Sequence, residues 1–312
     1  MANLRKNIFL GVDGGGTKTQ AVLVDSQGKV IAKGQASGSN PAIFGIGKSL
    51  DNIYLSAQIA LKNFPDAVNI PACLAIAGVN TEKEAKIFLD AVLSHPTLSK
   101  IISKNSIVVN DTQAALRAGT NDKNAVVLIA GTGSNCFGIN DKGKAEKSGG
   151  RDFILSDEGS AYAIGLFTLK AVTKASDGRT KDTILKNLLF DYLKINSIDS
   201  LTEIVNKRPW NKTDIAKVAP LAEEAAKRGD RQASEIIKTA AMELALMIKA
   251  VAEKLDLKNK KYTIVTTGSV FNIAEMKRLV REKVLEFNPG VEIIQPKISS
   301  AYGAALLAKE QN

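Results

Sequence analysis

The sequence predicts an α/β protein made of two similar domains, and three observations carry that expectation. Short apolar runs alternate with longer segments of helical periodicity, the pattern of buried sheets covered by helices. Two stretches share one grammar: apolar run, glycine-rich turn, apolar run, polar turn. Their leading glycines, Gly14 and Gly131, stand 117 positions apart, which an internal duplication explains most economically. The length of 312 residues also suits two cores better than one. Two duplicated domains are expected to face each other across a cleft.

Taken in order, residues 8–12 form a continuous apolar run before Asp13-Gly14-Gly15-Gly16, and a second run covers 21–24. A polar turn at 25–28 leads to a third strand over 30–33. Leu50, Ile53, Leu55, Ile59 and Leu61 give residues 48–62 helical spacing, which Pro65 ends. A buried strand over 73–77 precedes a helix starting near Thr81, and a strand over 107–109 ends at Asn110-Asp111 ahead of a helix over 112–118. The second copy of the meander begins with the run 125–129, followed by Gly131-Thr132-Gly133-Ser134-Asn135, the apolar 137–139 and a turn at 140–143. Helices are expected over 158–174, with Asp157 at the start, and over 213–227, capped by Thr213. The longest covers 232–255. Residues 196–210 are the least regular and read as a surface excursion. A strand over 262–266 closes at Gly268, a helix over 273–287 follows, and an apolar helix over 301–308 ends the pattern.

Composition removes several classes of function. With 45% hydrophobic and 24% charged residues the chain is an ordinary globular one. Its two cysteines, Cys73 and Cys136, allow no disulfide framework and suit a reducing compartment. A single histidine, His95, removes histidine-based triads, HExxH metal sites and nearly every zinc arrangement; it is expected in an exposed loop before Pro96. No apolar run approaches the ~20 residues of a membrane span, and residues 1–6 lead straight toward the first strand without a secretory signal. A cytoplasmic protein is expected. The net charge of +10 fits either a nucleic-acid surface or a solvated face that attracts small anions. The basic residues are scattered, apart from Lys258, Lys260 and Lys261, and aromatics make up only 5%, so no base-stacking platform is expected.

The strongest local motif is Asp13-Gly14-Gly15-Gly16-Thr17-Lys18-Thr19. Successive glycines let backbone N–H groups approach an anion, while Thr17 and Lys18 add a hydroxyl and a charge. It is not a Walker A loop, because Thr17 stands where lysine is required and a strand follows instead of a helix. A plain tight turn would need fewer glycines. Gly131 to Asn135 repeats the device in the second half, and two such turns on facing domains would clamp a polyphosphate. Asp111 falls at the carboxyl end of a strand, where α/β folds bind ligands, and could take a proton from a substrate hydroxyl. It is also well placed to cap the helix behind it, and both readings stand. Asp157 and Glu158 form a second acidic pair that a helix dipole would equally explain. The cysteines read as core residues, and Trp210 has no assigned role.

Residues 8–18, Asn110-Asp111, 131–135, 156–160 and Thr267-Gly268-Ser269 follow the order and spacing of the BadF/BadG/BcrA/BcrD ATPases. The chain most resembles the N-acetylglucosamine kinase branch of the sugar kinase/Hsp70/actin superfamily. That resemblance implies two RNase H-like domains with ATP between them: residues 1–117, joined by the final helix over 300–312, and residues 118–299. It also implies an ATP-dependent kinase acting on the hydroxymethyl oxygen of an amino sugar. On the residues, it implies Asp13 as the Mg²⁺ holder, through water, and Gly14, Gly15, Gly16, Thr17, Lys18, Thr132, Gly133 and Ser134 around the phosphates. Gly229, Gly268 and Ser269 would lie near the adenosine. Asp111 would be the catalytic base, with Asn40, Asp111, Asn135, Gly150, Arg151 and Asp157 on the sugar. The implied partners are ATP and the sugar, without nucleic acid or membrane, and with a homodimer as the assembly to test.

Two places depart from the branch. It carries Gly-Trp-Gly where this chain has Gly150-Arg151-Asp152, and Gly-Asp-Glu-Gly where this chain has Ser156-Asp157-Glu158-Gly159. The tryptophan and its partner glycine line the sugar pocket in the family, so the choice among N-acetylglucosamine, glucosamine and N-acetylmuramic acid turns on this loop. Arg151 could grip a carboxylate, Asp152 could pair with an ammonium, or the two could neutralise each other. Two other classes are weighed. An activator of a radical dehydratase would need cysteine thiolates for an iron–sulfur cluster, which Cys73 and Cys136 suit poorly. A sugar-sensing regulator would need a DNA-binding segment, for which there is no room before Ile8.

Overall fold

Two five-stranded mixed sheets with the same strand order organise the computed structural model, which describes residues 8–312. Residues 1–6, expected to lead into the first strand without a secretory signal, lie outside the described residues. The chain divides into two compact units, Met1–Asn121 with Gln295–Asn312, and Asp122–Ile294.

In the first unit, β1 (Ile8–Gly14) pairs antiparallel with β2 (Lys18–Asp25), which pairs antiparallel with β3 (Val30–Ser37). β1 is nearly all apolar because it sits mid-sheet with both faces covered. Behind α1 (Pro41–Ala60) come the wholly buried β4 (Ala72–Ile76), α2 (Glu82–Ser94), α3 (Leu98–Ile101), β5 (Ile107–Val109) and α4 (Asp111–Gly119). β4 lies parallel to β1, and β5 parallel to β4, which gives the order β3-β2-β1-β4-β5. In the second unit, β6 (Ala125–Ala130), β7 (Ser134–Ile139) and β8 (Ala145–Gly149) form the meander. The helices α5 (Ala161–Ser176), α6 (Ile184–Leu193), α7 (Ile198–Lys207), α8 (Lys212–Ala216), α9 (Ala219–Lys227) and α10 (Arg231–Lys254) follow. β9 (Thr263–Thr267) joins parallel to β6, and after α11 (Ala274–Phe287) the short β10 (Glu292–Ile294) joins parallel to β9. The order β10-β9-β6-β7-β8 mirrors the first sheet strand for strand, and each unit is an RNase H-like α/β layer. Ile8 and Ala125 open equivalent strands at the same 117-residue offset as Gly14 and Gly131. No helix among the described residues is long and apolar enough to cross a membrane.

Helix boundaries are where the sequence misled. The first helix begins at Pro41 rather than 48, because Asn40 caps it and Pro41 occupies a position where its missing N–H costs nothing. It is interrupted at Gly45 (φ 73°, ψ 160°). Residues 196–210 are not an irregular excursion: Ser197 caps α7, whose Leu201 is buried in a second apolar cluster with Val172, Leu185, Leu189 and Val218. Trp210 packs against that cluster. The expected helix over 213–227 is two helices, the first capped by Asn211 instead of Thr213, the second restarted by Pro220 in its first turn. The helix after Asp157 starts three residues later than expected, capped by Ser160. His95 is not simply exposed: it closes α2, and its Nδ1 lies 3.0 Å from Thr97 Oγ1.

The last helix, α12 (Ser300–Glu310), belongs to the first unit and lies directly on β1. A Cβ on Gly11 would fall on the Ala301 carbonyl and the Ala305 N–H, with Ala305 Cα 2.7 Å away. Gly303 faces α4 just as closely, its missing Cβ directed at the Ala114 carbonyl and 2.8 Å from the Ala118 N–H. Backbone-on-backbone packing of this kind has no side chain that could yield. Gly11→Val is therefore expected to cost at least about 3 kcal/mol, the upper range of overpacking, and to drop the melting midpoint sharply. A variant melting within a degree or two of wild type would show that α12 does not sit this close to β1.

Candidate active site at the two glycine turns

The parallel register of the first sheet brings Asp13 and Asp111 to one edge: Asp13 is level with Ala75, and Ala75 with Val109. Asp111 opens α4, and the cap is Asn110, whose Oδ1 accepts from Thr112 N at 3.2 Å and Thr112 Oγ1 at 2.6 Å. Capping is thus done by the neighbour, which leaves the Asp111 carboxylate uncommitted to it. Asn110 is itself fixed by donating Nδ2 to the Val79 carbonyl at 2.8 Å. Asn40 arrives at the same edge. It caps α1 by accepting from Ala42 N at 2.9 Å, and it fills the space where Gly78 lacks a Cβ.

Between β1 and β2 the chain turns on a Gly15 N–H bond to the Lys18 carbonyl, and the Gly15 carbonyl takes the N–H of Ser39 at 2.9 Å. Gly16, Thr17 and Lys18 are exposed, and among the described residues no acceptor takes the N–H of Gly16 or Thr17. Buried Thr19 ties the turn to β3 through its hydroxyl, which bonds the Ser37 carbonyl and Ser39 Oγ. Donors left open at a glycine turn form an anion cradle.

The second turn, between β6 and β7, holds Gly131 N–H on the Gly133 carbonyl at 2.9 Å. The N–H groups of Thr132 and Gly133 have no acceptor among the described residues. Asp157, at φ 75° and only 3% exposed, accepts from Ser134 N at 2.8 Å with Oδ1 and pairs with Lys212 Nζ through Oδ2. It is therefore a buried, bonded carboxylate of the turn rather than an N-terminal helix residue. Gly150 (φ 66°) presses against Asn135, where a Cβ would lie 2.6 Å from the Asn135 amide carbon. Asn135 Oδ1 is buried with no protein partner, a state that costs ~1–3 kcal/mol unless something else donates to it. Gly268 packs on the Ala130 carbonyl, and Ser269 Oγ is 3.9 Å from the Cβ position of Gly131.

Most of the sequence-predicted residues thus gather at two places: Asp13, Gly14 to Lys18, Asn40 and Asp111 in the first unit, and Thr132 to Asn135, Gly150, Asp157, Gly268 and Ser269 in the second. Gly229 (φ 84°) lies in the turn between α9 and α10, where a Cβ would meet nothing within 4 Å. Arg151 and Asp152 are exposed; Asp152 Oδ1 takes the Phe153 N–H, Arg151 donates its own N–H to Ser156 Oγ, and no ion pair joins the two side chains. Sequence reasoning missed Lys212 and the capping role of Asn110. A cap at Asn110 was readable in principle, since Asn is as good an N-cap as Asp. Lys212 carried no local signal.

Both first-unit carboxylates have only a small opening to solvent and are otherwise surrounded by protein. Burial, then the neighbouring Asp111 charge, against the pull of Lys18, pushes Asp13 up to about 7. Burial pushes Asp111 up to about 6, against the N–H groups of Thr112 and of Asp111 itself. An unfolded Asp ionises near ~3.9, so ionising Asp13 in the folded protein costs nothing at pH 4 and its full penalty above pH 7. In chelator-containing buffer, Asp13→Asn is expected to leave the melting midpoint unchanged at pH 4 and raise it at pH 8, by roughly 2–4 °C per kcal/mol recovered. Equal midpoints for the two proteins at pH 8 would show that Asp13 is not held against its charge.

The BadF/BadG/BcrA/BcrD ATPase family model matches residues 10–308. An N-acetylmuramic acid/N-acetylglucosamine kinase of Clostridium acetobutylicum is 33% identical over 97% of this chain and 98% of its own length. An N-acetyl-D-glucosamine kinase of Dictyostelium discoideum is 32% identical over 98% of each chain. A crystal structure from Chromobacterium violaceum, described as a candidate N-acetylglucosamine kinase, superposes with a TM-score of 0.78 at 22% identity, over 97% of this chain and 99% of that one. With two open glycine turns on duplicated sheets and a match running almost from end to end, the chain belongs to the BadF/BadG/BcrA/BcrD ATPase family.

Proposed function

We propose that this protein is a cytoplasmic ATP-dependent kinase that phosphorylates the hydroxymethyl oxygen of an amino sugar, N-acetylglucosamine first. The observation that carries the reading is the Asp111 carboxylate, relieved of capping by Asn110 and set beside Asp13 at a sheet edge. The full-length similarity to two amino-sugar kinases supports the substrate class. Asp111 accepts the proton of the attacking hydroxyl, and Asn40 and Asn135 orient the sugar. Asn135 Oδ1, buried without a partner, is an acceptor waiting for a substrate donor. Phosphoryl transfer asks mainly for positioning and charge stabilisation, which the open N–H groups of Gly16, Thr17, Thr132 and Gly133 supply.

The residues suit Mg²⁺. No group of three or more acidic, His or Cys side chains among the described residues could cage a metal, and Mg²⁺ characteristically takes one or two carboxylates plus phosphates and water. Asp13, held against its own charge by burial and then by Asp111, would hold it. When bound, the ion neutralises charge on the phosphates and between the two carboxylates.

A second reading of the substrate, N-acetylmuramic acid alongside N-acetylglucosamine, is favoured by Arg151. Its guanidinium is exposed and has no ion pair among the described residues, in the loop whose Gly150 touches Asn135, and it suits a carboxylate in a bidentate grip. The iron–sulfur reading fits poorly, since Cys73 and Cys136 are each enclosed in the interior of their own unit. Burial pushes the Cys73 thiol up to about 12 and Cys136 higher still.

Asp111→Asn keeps shape and removes basicity. A loss in kcat of roughly 10²–10⁴-fold is expected, with ATP binding by calorimetry unchanged; a variant keeping more than half of wild-type kcat would remove Asp111 as the base. Arg151→Gln is expected to lower kcat/KM for N-acetylmuramic acid by about tenfold or more, the worth of a charge-assisted bond, and to leave N-acetylglucosamine untouched. Parallel loss on both sugars, or on neither, would show that Arg151 does not read the carboxylate.

A further inference from the structure

The two turns differ in charge. The 117-residue offset that places Gly14 on Gly131 also places Lys18 on Asn135, so the second copy of the motif lacks the cation of the first. An ammonium stands there nonetheless, supplied from the first residue of α8. Lys212 Nζ lies 2.7 Å from where a Gly133 Cβ would be, at the same distance as Asp157 Oδ1. Gly133 is thus the residue that makes room for the Lys212–Asp157 pair inside the turn.

The pair is built, not incidental. A surface ion pair between long side chains is worth ~0–1 kcal/mol and wanders. Asp157 is 3% exposed and anchored on its other oxygen by Ser134 N, whereas the Lys212 side chain keeps 28% exposure. The carboxylate therefore serves as a fixed post, and the ammonium stands between it and solvent. An ammonium has three donors. Among the described residues Asp157 is its one charged partner, and its Nζ lies beside Gly133, whose N–H, like that of Thr132, has no acceptor there.

We propose that Lys212 is a phosphate-binding residue: held by Asp157, it takes an oxygen of the nucleotide's polyphosphate at the second turn and replaces in space the lysine that the second motif lost in sequence. This rests on the kinase reading above for the presence of ATP, and assigns the second turn its own cation.

The test is calorimetric binding of ATP and of adenosine to wild type, Lys212→Met, Lys212→Arg, Asp157→Asn and the double variant K212M/D157N. Lys212→Met is expected to weaken ATP by about tenfold or more and leave adenosine unchanged, and Lys212→Arg to recover most of the loss. Because Lys212→Met alone strands a buried carboxylate, the double variant provides the clean comparison. It should melt as Asp157→Asn does and still bind ATP about tenfold more weakly than Asp157→Asn. ATP affinity in the double variant equal to that of Asp157→Asn overturns the proposal, as does an equal loss for ATP and adenosine. A hexose and amino-sugar screen showing no phosphorylation would defeat the kinase reading while leaving the ATP-against-adenosine difference as the measure of Lys212.

Discussion

β1, β4 and β5 run parallel and in a register that levels Asp13 with Ala75 and Ala75 with Val109. Two carboxylates from distant parts of the sequence therefore reach one edge, because strands that start together in a parallel sheet also end together. The chemistry proposed for the first unit depends on that alignment. A slip of one residue in β1 would turn Asp13 to the other face and leave Asp111 alone. Asn110 completes the arrangement by taking over the side-chain cap of α4, and burial outweighs the N–H groups of Thr112 and Asp111 so that the Asp111 carboxyl is still pushed up.

The same sheet order recurs in the second unit, but the helices around it do not. The second unit adds α5 to α9 with an apolar cluster of their own, and that addition is where Lys212 comes from. Duplication thus accounts for the cradle, and divergence for what fills it. Lys18 sits within the first turn, whereas the second turn receives its ammonium from a helix 78 residues beyond Ser134.

Much of this was legible in the sequence, for local reasons. Glycine turns, continuous apolar strands and a fixed offset between copies are patterns within a few residues of one another, and β1, β4, β6, β9, α10 and α12 were read close to their true bounds. What failed was governed by caps and by tertiary contact. Asn40, Asn211 and Ser160 decide where their helices start, and each has another possible cap within three residues: Ser39, Thr213 and Asp157. α7 looked irregular because the cluster that stabilises its Leu201 is assembled from α5, α6 and α9. The proximity of Lys212 to Gly133 is purely spatial, so one lysine among 42 basic residues gave nothing to distinguish it.

The seat of α12 on Gly11 has a consequence for the order of synthesis. β1 is packed by α12, which follows the whole of Asp122–Ile294 in sequence, so the first unit's core stays incomplete while that segment is translated. The second unit is contiguous and holds all of its own strands, so it can close first, against the usual N-to-C succession of folding domains. Until Ser300–Glu310 emerges, the face of β1 around Gly11 lacks its cover.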